Sequence, residues 1–159
     1  YSEYAEEVRD WWDKFDPRWA GIRLEALELL KKEQRLEQIV RLIGPDALPD
    51  TERLVLSVAE MIKNGFLQQN AFDEVDVYSV PEKQILILQL MIGFYKRSLG
   101  VIKQGCPLLK INTLTCKEEI IRIKTSVPND KLEMIKEVEN HFENEFGNLE
   151  RLYRKVETI

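Results

Sequence analysis

Arg41-Leu42-Ile43-Gly44-Pro45-Asp46-Ala47-Leu48-Pro49-Asp50-Thr51-Glu52-Arg53 joins two amphipathic segments through a turn that neither can cross as a helix. Gly44 ends the segment before it, and Pro45 pushes its predecessor out of the helical region. Asp46-Ala47-Leu48-Pro49 makes a short connection, and Asp50 can accept from the free N–H groups of a new helix beginning at Thr51. The two segments are therefore expected to fold back as a long antiparallel hairpin with a tight tip. Upstream, Asp16 caps and Pro17 opens the first of the pair, Pro17 sitting where its missing N–H is harmless. Ile22, Ala26, Leu27, Leu30, Leu36, Ile39, Val40 and Ile43 are expected to face inward, with Lys31-Lys32-Glu33, Arg35 and Glu37 on a wet face of alternating charge. Downstream, Leu54, Leu56, Val58, Ala59 and Ile62 form the buried side of the returning helix, which Gly65 weakens near Phe66-Leu67. Pro45 and Pro49 hold the turn stiff, with Leu48 displayed among polar residues.

Helical patterns continue on both sides of the hairpin. Ser2 can cap a segment in which Tyr4, Val8, Trp11, Trp12 and Phe15 recur at three and four. Pro81 opens a helix to about Lys103, apolar nearly all round and so expected to be the most buried member. Its greasiest run, from Ile85 to Tyr95, contains Gln89, is followed by Lys96-Arg97 and is too short to span a bilayer. Gly105-Cys106-Pro107 breaks that helix. Thr115 with Glu118 reads as a capping box, as does Asp130 with Glu133 in chemical effect, and Leu132, Ile135, Val138, Phe142, Phe146, Leu149, Leu152 and Tyr153 set the period of the last helix. Connections are short and no Gly/Ser linker divides the chain, so residues 1–159 read as one all-α helical bundle built on the hairpin.

The chemistry is sparse. With 159 residues, 44% hydrophobic and 32% charged, the chain can bury one core; its net charge of −5 lacks the positive excess expected of a nucleic-acid binder. No positively charged start with an apolar run marks a signal peptide, and Tyr1 in place of Met leads us to expect a fragment. Cys106 and Cys116 make no metal cluster; reduced thiols or a single disulfide both remain open. His141, the one histidine, has no Ser or Cys nucleophile at a motif spacing, so no catalytic residue and no metal site is expected. No Gly-rich loop ending in Lys-Ser or Lys-Thr is present to cradle a triphosphate. One segment is unusual beside the tip: Phe66-Leu67-Gln68-Gln69-Asn70-Ala71-Phe72 sets aromatic rings next to amides. Such a set suits stacking and edge recognition of a planar heterocycle, and equally suits packing.

These residues resemble the C-terminal helical domain of the catalytic A subunit of archaeal and vacuolar-type rotary ATPases. The resemblance runs from Tyr1-Ser2-Glu3-Tyr4 through Leu36-Glu37-Gln38-Ile39-Val40-Arg41-Leu42-Ile43-Gly44-Pro45-Asp46-Ala47-Leu48-Pro49-Asp50 to the segment ending Ala71-Phe72, where eukaryotic relatives carry Gly-Tyr. It implies that, in the full-length polypeptide, a barrel and a nucleotide-binding domain precede this chain and bring the phosphate loop, the catalytic glutamate and the magnesium site. The full subunit would then be an ion-transporting ATPase or ATP synthase using ATP or ADP with Mg2+, while this chain alone would be inactive and bind no cofactor tightly. The resemblance assigns Phe66, Gln69, Asn70, Ala71 and Phe72 to an adenine pocket. It assigns Asp46, Ala47, Leu48, Pro49, Asp50, Thr51 and Glu52 to contact with the rotating central stalk.

The implied partners are B subunits, alternating with the catalytic ones in a hexameric head, and the central stalk. Membrane contact would be indirect, at the cytoplasmic face, with no nucleic acid involved. Two rivals stand beside this expectation. A free-standing helical scaffold or adaptor would have no nucleotide chemistry, and a small regulatory enzyme would need a metal on surface carboxylates.

Overall fold

Gly44 adopts φ +89°, a conformation that side chains other than glycine's rarely allow, and turns the chain between two antiparallel helices. In the computed structural model, which describes residues 18–67, 81–128 and 130–157, these are α1 (Arg18–Ile43) and α2 (Asp50–Ile62). A one-turn 3-10 helix, Pro45–Ala47, joins them. At 26 residues, α1 is about 39 Å long. The expected segment over residues 2–15, the Asp16 and Pro17 start signals and residues 68–80 lie outside the described residues.

The buried stripe of α1 is Ile22, Ala26, Leu29, Glu33, Leu36 and Val40, spaced alternately four and three. That spacing leaves Leu27, Ile39 and Ile43 on the exposed side, contrary to expectation, and brings Leu29 inside. It also buries Glu33, expected on the wet face. A buried carboxylate is tolerable only when paired, and Lys63, just beyond α2, supplies the partner. The Glu33 carboxylate in turn holds the Lys63 ammonium above its ordinary pKa.

Pro81 begins α3 (Pro81–Lys103), which packs against α1, α2, α5 and α6 as its all-round apolar surface requires. Ile85, Ile87, Leu88, Met91 and Phe94 are all within the core. Because helix extends on both sides of the apolar run, Glu82–Lys103 is long and apolar enough, by length and composition alone, to cross a bilayer. Here half of that stretch is covered by the rest of the bundle.

The end of α3 is a Schellman motif. Cys106 N–H donates to Val101 O and Gly105 N–H to Ile102 O, with Gly105 at φ +110°. A short helix not expected from the sequence follows, α4 (Leu108–Asn112), then α5 (Thr115–Ser126) and α6 (Met134–Glu157). α6 starts after a run of i→i+3 turns in which Met134 N–H reaches Lys131 O, so its regular part begins beyond Asp130 and Glu133.

Two of the helix starts are capped from elsewhere in the chain. The Thr115/Glu118 box does not form: no side chain of α5 caps it, and Glu145 of α6 accepts instead from the backbone N–H groups of Thr115 and Cys116, each at 3.1 Å, and from the Thr115 hydroxyl. A carboxylate at a helix N-terminus meets free donors and the positive end of the dipole, whichever helix it comes from. α6 is further tied to α3 by Phe94 edge-on to Phe146, with ring centroids 5.3 Å apart. The Arg97 guanidinium lies over Phe142 and Phe146 and donates to Glu143 and Glu150.

Candidate functional site

Beyond Ile62, where α2 ends, the chain continues as a π-helical turn over Lys63–Leu67. Gly65 lies in this turn, so close to α5 that a Cβ there would sit 3.0 Å from the Ile121 Cα and 2.7 Å from the Met91 methyl. Only a residue without a side chain lets the two backbones approach this way. The next residue is Phe66, half-buried against the core. Its carbonyl accepts from Lys124 Nζ at 2.8 Å. Lys124 belongs to the last turn of α5, and its own carbonyl accepts from Lys83 Nζ at 2.9 Å; Val127 O accepts from the same ammonium at 2.6 Å. Lys83 is 0% exposed and Lys124 is buried.

Of the expected heterocycle-binding set, Phe66 is therefore placed, at the end of a π turn and held from behind. Gln69, Asn70, Ala71 and Phe72 lie outside the described residues. Lys83 and Lys124 were missed by motif reasoning. Their signal is one of register: Lys83 continues the buried row Ile87, Leu90, Phe94, and Lys124 lies one turn after the buried Ile120. A lysine in a core register needs carbonyl or carboxylate partners.

The hairpin tip divides its residues differently from expectation. Asp46, Ala47 and Pro49 are exposed, but Leu48 is 6% exposed and belongs to the core cluster, so it fastens the turn rather than displaying itself. Asp50 is the first residue of α2, not its cap; the cap position is Pro49, with no side-chain bond. The Asp50 carboxylate instead accepts from Leu108 N–H at 3.1 Å, capping α4, and pairs with Arg53 at 3.4 Å. Thr51 and Glu52 line an open groove of about 430 Å³ with Lys32, Arg35 and Tyr95. Large apolar side chains exposed at this end include Ile43 at 66%, expected to face inward, and Leu42 at 84% and Leu109 at 75%, which no expectation covered.

Cys106 and Cys116 are buried free thiols; burial pushes the Cys116 thiol up to about 12, with Glu145 and Glu119 adding to it. His141 is exposed and its Nδ1 lies 2.8 Å from Glu119. Among the described residues no three His, Cys, Asp or Glu side chains come together to hold a metal ion.

Comparison with known proteins adds a lineage to this geometry. Residues 9–112 match the family model described as the C-terminal domain of V and A type ATP synthase. The chain is 45% identical over 148 residues to the A subunit of the A-type ATP synthase of Pyrococcus abyssi, an alignment covering 92% of this chain and 15% of the relative. To the corresponding protein of Thermococcus sibiricus it is 41% identical over 156 residues, 98% of this chain and 26% of the relative. It is 38% identical over 156 residues to the V-type ATP synthase alpha chain of Halothermothrix orenii, again 98% of this chain and 26% of the relative. The chain thus spans about a quarter or less of the length of the curated relatives it matches.

Proposed function

Because the chain belongs to the family of C-terminal domains of V and A type ATP synthases, we propose that it is the helical C-terminal domain of the catalytic A subunit of an ion-translocating rotary ATP synthase or ATPase. The observation that carries this reading is identity of 38% to 45% to such proteins over 92% or more of the chain. In the proposal the domain has two tasks. Phe66, Gln69, Asn70, Ala71 and Phe72 complete the adenine side of a nucleotide site, and the tip formed by 46–52 meets the central stalk. Neighbouring B subunits alternate with the catalytic ones around that stalk, and the assembly touches the membrane only through its other parts, at the cytoplasmic face.

Among the described residues, Phe66 offers a group suited to the base. A half-buried ring with a fixed backbone suits stacking, whereas the described residues offer no metal-ligand cluster and the sequence no phosphate loop. ATP or ADP would be held at its phosphates, with Mg2+, by the nucleotide-binding domain preceding this one in the full-length polypeptide. Hydrolysis and synthesis are then properties of the whole polypeptide in its assembly, with this domain contributing affinity for the base and a stiff element at the shaft.

Replacing Phe72 by Ala in the full-length catalytic polypeptide, assembled with its partners, tests the base site. A stacked ring contributes on the order of 1 kcal/mol beyond its buried area, so KM for ATP should rise about fivefold. An unchanged KM in a folded, assembled complex removes Phe72 from the site.

A further inference from the structure

Three chain segments meet at two buried ammonium groups: the end of the π turn at Phe66, the last turn of α5 and the first turn of α3. We propose that Lys83 and Lys124 are positioning residues for base recognition, a relay in which Lys83 fixes the end of α5 and Lys124, so held, fixes the backbone of Phe66. The proposal rests on the adenine-site reading above and deepens it by naming what sets the geometry of that site.

The relay follows from the needs of helix ends. A cation at the end of a helix meets its last carbonyls and the negative end of its dipole. Lys83 answers this at α5, donating to Lys124 O at 2.9 Å and Val127 O at 2.6 Å. Lys124 answers it at the π turn, donating to Phe66 O at 2.8 Å. Both side chains lie in the core, where an ammonium is costly and an aliphatic residue would pack without that cost.

What an aliphatic residue could not do is define a direction. A carbonyl bound by an ammonium is held in distance and orientation, and the plane of the next peptide with it. Phe66 is one residue from the end of the described hairpin, and Lys83 is two residues after Pro81, the start of α3. The relay therefore joins the two points between which Gln69, Asn70, Ala71 and Phe72 are strung in sequence. Gly65 presses the same turn against the Ile121 backbone, so Phe66 is fixed by contact on one side and by hydrogen bonding on the other.

The test uses the full-length catalytic polypeptide in its assembled complex, with ATP and a pyrimidine triphosphate as substrates. Lys124→Met should raise KM for ATP about fivefold, keep kcat within about twofold and reduce the preference for ATP over the pyrimidine nucleotide, since a displaced base site loses binding before it loses chemistry. Lys124→Arg, which keeps a buried cation and its donors, should recover most of the loss, and Lys83→Met should show the Lys124→Met pattern more weakly.

If Lys124→Met does not assemble, Lys124→Gln against Lys124→Arg gives the same comparison: a higher KM for Gln supports the relay, and equal KM values overturn it. Unchanged KM and base preference in assembled Lys124→Met overturns it as well, as does a fall in kcat alone, the signature of general structural damage. The parallel Phe66→Ala and Phe72→Ala variants separate the two failures. If they raise KM while Lys124→Met does not, the relay is wrong and the base site stands; if they leave KM unchanged, the base site itself is wrong.

Discussion

His141 shows how much of a residue's behaviour is set by a neighbour distant in sequence. Its ring lies on the outer face of α6, and the Glu119 carboxylate of α5, hydrogen-bonded to Nδ1, raises its pKa above the usual 6.5; the charges of Glu137 and Glu145 act in the same direction. The protonated form is thus favoured by folding. The pair's contribution to stability is present in full below pH 6.5 and is lost as pH rises through the raised folded value. Because the ring is exposed, the effect should be read from the titration itself. A proton NMR titration of the folded chain should give a midpoint above 6.5, and Glu119→Gln should bring it back toward 6.5. A midpoint at or below 6.5 in the unmutated chain would show that the pair does not persist in solution. The sequence announced the histidine but not its partner, because Glu119 and His141 meet only once α5 and α6 pack together.

At the scale of elements, the informative residues are those that let two helices approach. Gly65 and Gly147 are both helical glycines, yet a methyl group added at Gly147 meets nothing within 4 Å, while at Gly65 it would strike the Ile121 backbone. The same substitution should therefore have opposite signs. Gly147→Ala should stabilise by about 0.5–1 kcal/mol through helix propensity, and Gly65→Ala should destabilise by about 1–3 kcal/mol because backbone cannot step aside. Thermal melts of the two variants beside the parent chain decide it, and a neutral Gly65→Ala would mean that the α2–α5 contact is looser than described.

This contrast also explains what could be read from sequence. The breaks at Gly44-Pro45, Pro81 and Gly105-Cys106-Pro107 are local backbone chemistry and were legible. The caps were not, since Asp50 serves α4 from 58 residues away and Glu145 serves Thr115 from 30. Glu33 misled for a related reason: a charged residue in a buried register looks like a wet face until its lysine arrives from another element. Of the candidate base site, the segment itself was legible as aromatic rings beside amides, but the lysines behind Phe66 carry no motif.

For the whole molecule, the proposed contact of the hairpin with a rotating shaft depends on how firmly its tip is held. Leu48 in the core and Asp50 on the start of α4 fasten the turn at two points, while Asp46 stays exposed on the outside. Replacing residues 46–50 by glycines should lower the torque of the assembled enzyme, whereas Asp46→Ala should leave it near the parent value, because an exposed charge at a tip contributes little. Asp50→Ala is expected to fall between them, with about 1 kcal/mol of capping lost. Single-molecule rotation against a viscous load reads all three, and full torque from the glycine turn would refute a stiff tip. The apolar length of α3 has a different consequence, one of timing. A ribosome delivers α1 and α2 first, so the two helices that pack on the 22-residue apolar stretch of α3 are synthesised before it emerges. Chain order thereby shelters, during synthesis, the one described helix that membrane-insertion machinery could mistake for its own substrate.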